Sequence, residues 1–266
     1  MGKQEKLAVY LRDIGRRGVL LALSGGVDSA LLLDMLAEAA AEEGFPLRAA
    51  TFSSPLQPET DASAARELAE RHGVPHRVVR IDLLADPILR QNPRDRCYLC
   101  KKRLFETLKK IAAEENLGLI ADGTNADDLG QYRPGLRALR ELNIISPLAE
   151  LGMTKAEIRA LAERRGVPVA HRPSSPCLAT RLPYGDELTA EILGQIDAGE
   201  RFLKSAGFDV VRLRRHGSVA RVEIPEKDFA RFLEQRAGIA AELKRQGFSH
   251  VTLDLEGFRS GSMDLF

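Results

Sequence analysis

A doubly wound parallel α/β sheet followed by a smaller C-terminal α+β domain is the fold this sequence predicts, and three observations predict it. Short apolar runs alternate with helical stretches over the first 170 residues, the pattern of a parallel sheet covered on both faces. A glycine-rich turn, Ser24-Gly25-Gly26-Val27-Asp28-Ser29, joins the first apolar run to a long Ala- and Leu-rich helix. From about Val169 the composition changes, and the order becomes helix, two strands, helix, strand. The expected domains are 1–170 and 171–266.

Residues 1–14 read as an amphipathic helix and 18–23 as a short, wholly apolar strand. Residues 24–28 make a turn and 30–41 a helix, followed by a strand at 47–52. A helix over 59–71 is stopped by Gly73, and 78–81 is the third strand. Residues 96–115 form a long helix and 119–122 the fourth strand. Thr154-Lys155-Ala156-Glu157 opens the next helix as a capping box, and Gly166 closes it. Prolines and serines cluster at 173–176. A helix over 189–206 precedes alternating strands at 210–214 and 219–224, a helix from 228 and a last strand at 251–255.

The 266 residues are 44% hydrophobic and 29% charged, with a formal charge of +1. Such a balance creates no global basic field for nucleic acid. The N-terminal stretch has no signal-peptide apolar core, and no run is long enough to span a membrane. The expectation is a cytoplasmic protein with neither nucleic-acid nor membrane partners. In that compartment three cysteines point to metal ligands or reactive thiols rather than a disulfide framework.

Between a strand and a helix, SGGVDS stands where backbone N–H groups and the helix dipole bind phosphate. Gly25 and Gly26 let the main chain approach an anion, and the Ser24 and Ser29 hydroxyls add donors. Asp28 is better suited to Mg²⁺ than to phosphate. The loop lacks the lysine of a Walker A motif and the spacing of a dinucleotide fingerprint. It resembles the pyrophosphate loop of the PP-loop ATP pyrophosphatase superfamily, with its adenine nucleotide alpha hydrolase-like fold. The resemblance implies ATP cleavage between the α and β phosphates. It also implies nucleotide contacts from neighbouring strand ends, here Thr51 and Phe52 and then Gly123, Thr124 and Asn125. Asp127 and Asp128 either assist a metal or cap a helix.

Cys97 and Cys100 form a C-x-x-C at a helix start. Three cysteines cannot make a four-cysteine zinc site within one chain, and a fourth ligand from a histidine such as His171 or His216 would follow no recognisable spacing. They fit a redox pair plus one thiol, or an iron–sulfur cluster with one iron left open. Cys177 lies in a loop between Arg172 and Arg181, whose charge favours the thiolate; the plain alternative is a loop cysteine packed under arginine stems. Arg212 and Arg214 alternate on one strand and share a face. They read either as phosphate ligands or as a solvated face.

RCYLCKKRLFETL, ADGTNADDLGQYRPGLRAL, ISPLAELGMTKAEIRALA, SSPCLATRLPYG and VRLRRHGSVARVEIP together resemble the LarE-type ATP-dependent sulfur transferases over nearly the whole chain. The resemblance implies adenylation and thiocarboxylation of pyridinium-3,5-biscarboxylic acid mononucleotide, toward the nickel-pincer nucleotide cofactor. It implies Cys177 and Asp28 as catalytic residues, with Arg181, Glu200, Arg212, Arg214 and Glu223 binding the substrate. Sulfur comes either sacrificially from Cys177 or from a [4Fe-4S] cluster on Cys97, Cys100 and Cys177. ATP and Mg²⁺ are the other expected cofactors, and other cofactor-biosynthesis enzymes and a trimer-based homo-oligomer the expected partners. A tRNA thiolation enzyme, an ammonia-using synthetase and a non-catalytic nucleotide-binding module are the rivals.

Overall fold

The computed structural model describes residues 2–130, 133–173 and 176–259; Ser174 and Ser175 of the predicted Pro/Ser cluster lie outside them. In chain order the elements are α1 (Lys3–Gly15), β1 (Val19–Ala22), α2 (Val27–Glu43), β2 (Leu47–Ser53), α3 (Glu59–Arg71), β3 (His76–Arg80), α4 (Pro87–Arg90), α5 (Arg96–Glu114), β4 (Leu119–Ala121), α6 (Ala126–Leu129), α7 (Gly135–Glu141), α8 (Pro147–Glu150), α9 (Lys155–Arg164), α10 (Ala190–Ser205), β5 (Arg212–His216), β6 (Val219–Glu223), α11 (Phe229–Glu234), α12 (Arg236–Arg245) and β7 (His250–Leu253). The chain divides into two compact units: 1–54, 59–81 and 95–175 form the first, and 55–58, 82–94 and 176–266 the second.

The first unit is built on a parallel sheet of order β3-β2-β1-β4, as the alternating apolar runs predict. Val19 pairs with Leu47 on one side and Leu119 on the other. A parallel bridge between Ala121 and Ile145 extends β4 outward. Central strands of such a sheet are covered on both faces, and Val19, Leu20 and Leu21 are fully buried. α2 buries three consecutive leucines, Leu31, Leu32 and Leu33. A helix apolar on every side needs cover on every side, and α1, α3, α9 and the sheet all pack on it. Gly44 ends α2 at φ +75°, a left-handed cap that glycine adopts without strain. Thr154 and Glu157 form the predicted capping box of α9.

In the second unit β5 and β6 are antiparallel, turning at Gly217, while β6 and β7 run parallel. The order α10, β5, β6, α11–α12, β7 is the predicted α-β-β-α-β series, with the penultimate helix broken at Gln235. Phe208 and Phe232 meet edge to face at 5.4 Å within it. Segments 55–58 and 82–94 join this unit by hydrogen bonds. Leu178 N–H donates to the Leu56 carbonyl at 2.8 Å, Leu188 N–H to the Arg90 carbonyl at 2.8 Å, and Asn92 Nδ2 to the Pro183 carbonyl at 2.7 Å.

Candidate functional site

β1 delivers the chain into the Ser24–Ser29 loop, and α2 begins immediately after it. Gly25 takes φ +75°, and Gly26 is the extended N-cap of α2 with no side chain of its own to cap the helix. The amides of a helix's first turn have no partner within the helix, so an anion is the natural one here. Ser24 Oγ and Ser29 Oγ stand 3.0 Å apart, Ser29 Oγ accepts from Ser24 N–H at 3.1 Å, and Gly26 N–H reaches Ser24 Oγ at a long 3.4 Å. Weak bonds of this kind are readily exchanged for bonds to phosphate oxygens.

Asp28, in the first turn of α2, forms an ion pair with Lys155 at the start of α9 and accepts from Asn125 Nδ2 at 3.4 Å. Sequence reasoning assigned Lys155 only to a capping box; its bearing on the loop comes from the packing of α9 on α2. Asn125 caps α6, accepting from Asp127 N–H at 2.9 Å. Asp128 returns a capping-box bond to Asn125 N–H at 3.1 Å, and Asp127 accepts from Lys155 N–H at 2.8 Å. Of the two roles open to Asp127 and Asp128, the structure therefore displays capping.

Gly123 sits where the end of β4 meets the start of α2: a Cβ there would lie 2.9 Å from Ser29 N. The adjacent Asp122, nearly buried, accepts from Thr124 Oγ1 and Ser146 Oγ, both at 2.6 Å, with Lys101 Nζ at 3.7 Å. At the end of β2, the Thr51 hydroxyl donates to the Leu23 carbonyl at 2.6 Å and meets His76 Nε2 at 2.8 Å. Its single proton is committed, so His76 Nε2 supplies the other. Burial and the Arg66 charge push His76 below its ordinary pKa, consistent with a neutral ring. The Thr51 side chain is thus taken up by Leu23 and His76, and the neighbouring Phe52 is half-buried.

The second unit holds Cys177 and all five expected substrate residues. Cys177 precedes a short 3-10 turn over Leu178–Arg181. Arg181 is 1% exposed and grips Glu200 with two parallel bonds, 2.8 and 2.9 Å. Its remaining nitrogen donates to the Pro176 and Cys177 carbonyls at 2.9 and 3.3 Å. Arg214 donates to Glu223 at 2.9 Å and to the Thr180 carbonyl at 2.8 Å. Glu223 also pairs with Arg221 at 3.2 Å. Burial raises the Glu200 carboxyl, but the Arg181 hydrogen bond and charge outweigh it and the net direction is down. Arg212, largely desolvated and near Arg181, is lowered to about 10. The strand face carrying Arg212 and Arg214 is therefore not a solvated one. Buried ion pairs are weak sources of net stability, but removal of one partner leaves an uncompensated buried charge.

Cys97 and Cys100 lie in the opening turns of α5 at i, i+3 spacing, which places them on one helix face. All three cysteines are half-buried and none is in a disulfide. Buried Arg96 brings Nη2 within 4.0 Å of Cys97 Sγ. Between the cysteines, Tyr98 packs under Arg137 (guanidinium carbon 3.5 Å from the ring centroid) and donates to Glu141 at 2.7 Å, tying α5 to α7. Among the described residues no three His, Cys, Asp or Glu side chains assemble as a metal-binding group, and no helix is long and apolar enough to cross a membrane.

A strand-to-helix phosphate cradle, with Gly123 of the next strand end against it, defines an ATP-binding α/β protein of the pyrophosphate-loop class. A family model described as a PP-loop domain matches residues 2–174, and the chain belongs to that family. It is 36% identical over 262 residues to the pyridinium-3,5-bisthiocarboxylic acid mononucleotide synthase of Lactiplantibacillus plantarum, covering 98% of this chain and 94% of that protein. An uncharacterised protein of Synechocystis sp. is 35% identical over 264 residues, covering 98% and 97%. The tRNA-specific 2-thiouridylase of Geobacter metallireducens is 30% identical over 205 residues, covering 62% of this chain and 55% of that protein.

Proposed function

We propose that the chain is an ATP-dependent sulfurtransferase of nickel-pincer cofactor synthesis. It converts the ring carboxylates of pyridinium-3,5-biscarboxylic acid mononucleotide into thiocarboxylates. A substrate carboxylate oxygen attacks the α phosphorus of ATP, the bond to the β phosphate breaks, and the Ser24–Ser29 loop holds the departing pyrophosphate. Asp28 would hold the accompanying Mg²⁺, leaving Lys155 to the phosphates. The Cys177 thiolate then attacks the activated carbonyl, and AMP leaves with the bonding pair. Removal of the Cys177 α proton breaks its Cβ–S bond, releasing thiocarboxylate and leaving dehydroalanine. A [4Fe-4S] cluster on Cys97, Cys100 and Cys177 would supply sulfide instead of the cysteine sulfur.

The observation that carries this reading is Arg181, a buried cation that joins the Cys177 backbone to Glu200. It sets the sulfur-bearing loop on the same buried ionic framework as Arg214 and Glu223. The substrate's phosphate suits Arg212, a guanidinium that burial and the neighbouring Arg181 charge both disfavour. The full-length similarity to the synthase supports the substrate assignment, whereas the thiouridylase relation covers little more than half of that protein. A cytoplasmic setting and a homo-oligomer complete the proposal.

Incubation with ATP, Mg²⁺ and the biscarboxylate, followed by mass spectrometry, tests it. Thiocarboxylate product that disappears in Cys177→Ala supports the reading; its absence, with thiolated tRNA formed in a parallel incubation with tRNA, overturns it. Loss of one hydrogen sulfide from the intact protein per transfer identifies the sacrificial route, and iron with labile sulfide in anaerobic protein the cluster route.

A further inference from the structure

Arg172 lies outside the motif of the phosphate loop, yet its side chain ends on that loop. Nη1 donates to the Gly25 carbonyl at 3.0 Å, and Nη2 pairs with Asp61 in the first turn of α3 at 2.8 Å. Arg159 of α9 fixes the backbone beneath it, donating to the Ala170 carbonyl at 2.5 Å and the Arg172 carbonyl at 2.9 Å. Space beside Gly25 is tight: a Cβ there would meet the Asp61 carbonyl at 2.8 Å, Ala65 N at 3.3 Å and Arg172 Nη1 at 3.4 Å.

The consequence follows from peptide geometry. In a planar trans peptide the carbonyl of one residue and the N–H of the next point in opposite directions. Arg172 draws the Gly25 carbonyl outward, so the Gly26 N–H turns inward, toward Ser24 Oγ at 3.4 Å. At φ +75° Gly25 has no side chain to resist a flip of this peptide. The guanidinium supplies the restraint that the sequence of the loop does not.

We propose that Arg172, oriented by Asp61, is a positioning residue that holds the Gly25–Gly26 peptide in its pyrophosphate-binding orientation. It acts on the β and γ phosphates through the loop and contacts no phosphate itself. The inference rests on the ATP-binding role of the loop and deepens it.

The test compares three ligands in the full chain by calorimetry: ATP, pyrophosphate and AMP. AMP lacks the phosphates this peptide serves. In Arg172→Met, ATP and pyrophosphate are expected to bind about tenfold more weakly, the scale of one charged hydrogen bond, while AMP affinity is unchanged. Arg172→Lys, which keeps one donor, falls between. Asp61→Asn leaves the arginine in place and shows a smaller loss with the same ligand pattern. Equal weakening of all three ligands in Arg172→Met, or no change in its pyrophosphate binding, overturns the proposal. Failure of the wild-type protein to bind ATP or pyrophosphate would instead count against the loop's assigned role.

Discussion

Lys155 stands 127 residues from Asp28 along the chain, yet the two form the ion pair at the mouth of the phosphate loop. The loop lacks a Walker lysine, and α9 brings a lysine to Asp28 from elsewhere in the chain. Lys155→Met should lower kcat/KM for ATP by about ten- to a hundredfold, the scale of a lost contact between charged groups, measured as AMP release at saturating biscarboxylate. At the same scale, His76 makes stability depend on pH. Its folded pKa lies below the ordinary 6.5, so between those values the unfolded chain binds more protons. Stability is full above 6.5 and falls as pH drops toward the folded pKa. Urea midpoints at pH 7.5 and 5.5 should differ less in His76→Gln than in the wild type.

At the scale of elements, the cradle depends on how closely the end of β4 approaches the start of α2. Gly123 permits it, since a Cβ would stand 2.9 Å from Ser29 N. Gly123→Ala should destabilise the protein by about 1–3 kcal/mol through overpacking and weaken ATP binding, read by chemical denaturation and calorimetry. The elements themselves were largely legible. α3 spans the predicted 59–71, and the strands fall within a residue or two of expectation, because apolar runs and capping residues are local signals. The short helices α6, α7 and α8 were not legible; each is too brief to show a helical period. Arg181 and Glu200 were found as candidates through family resemblance, but their near-complete burial was not. Nothing local distinguishes a buried arginine from a solvated one when its partner is 19 residues away. Arg172 was noticed only as a charge beside Cys177; its bond to Gly25 depends on the fold of α3 and α9.

For the whole molecule, the linear boundary near 170 describes where composition changes, and the compact units describe where contacts are made. The second unit takes 55–58 and 82–94 from within the N-terminal stretch. A fragment comprising 171–266 would lack the carbonyls of Leu56 and Arg90 and the amide of Asn92 that hold the Cys177–Leu188 segment. Such a fragment should give no cooperative thermal transition by circular dichroism, whereas the full chain should. During synthesis, the second unit cannot mature as an afterthought to a finished first unit. Its first pieces leave the ribosome early and must wait, exposed, for residues made more than eighty positions later, which makes the nascent chain a natural client for chaperones.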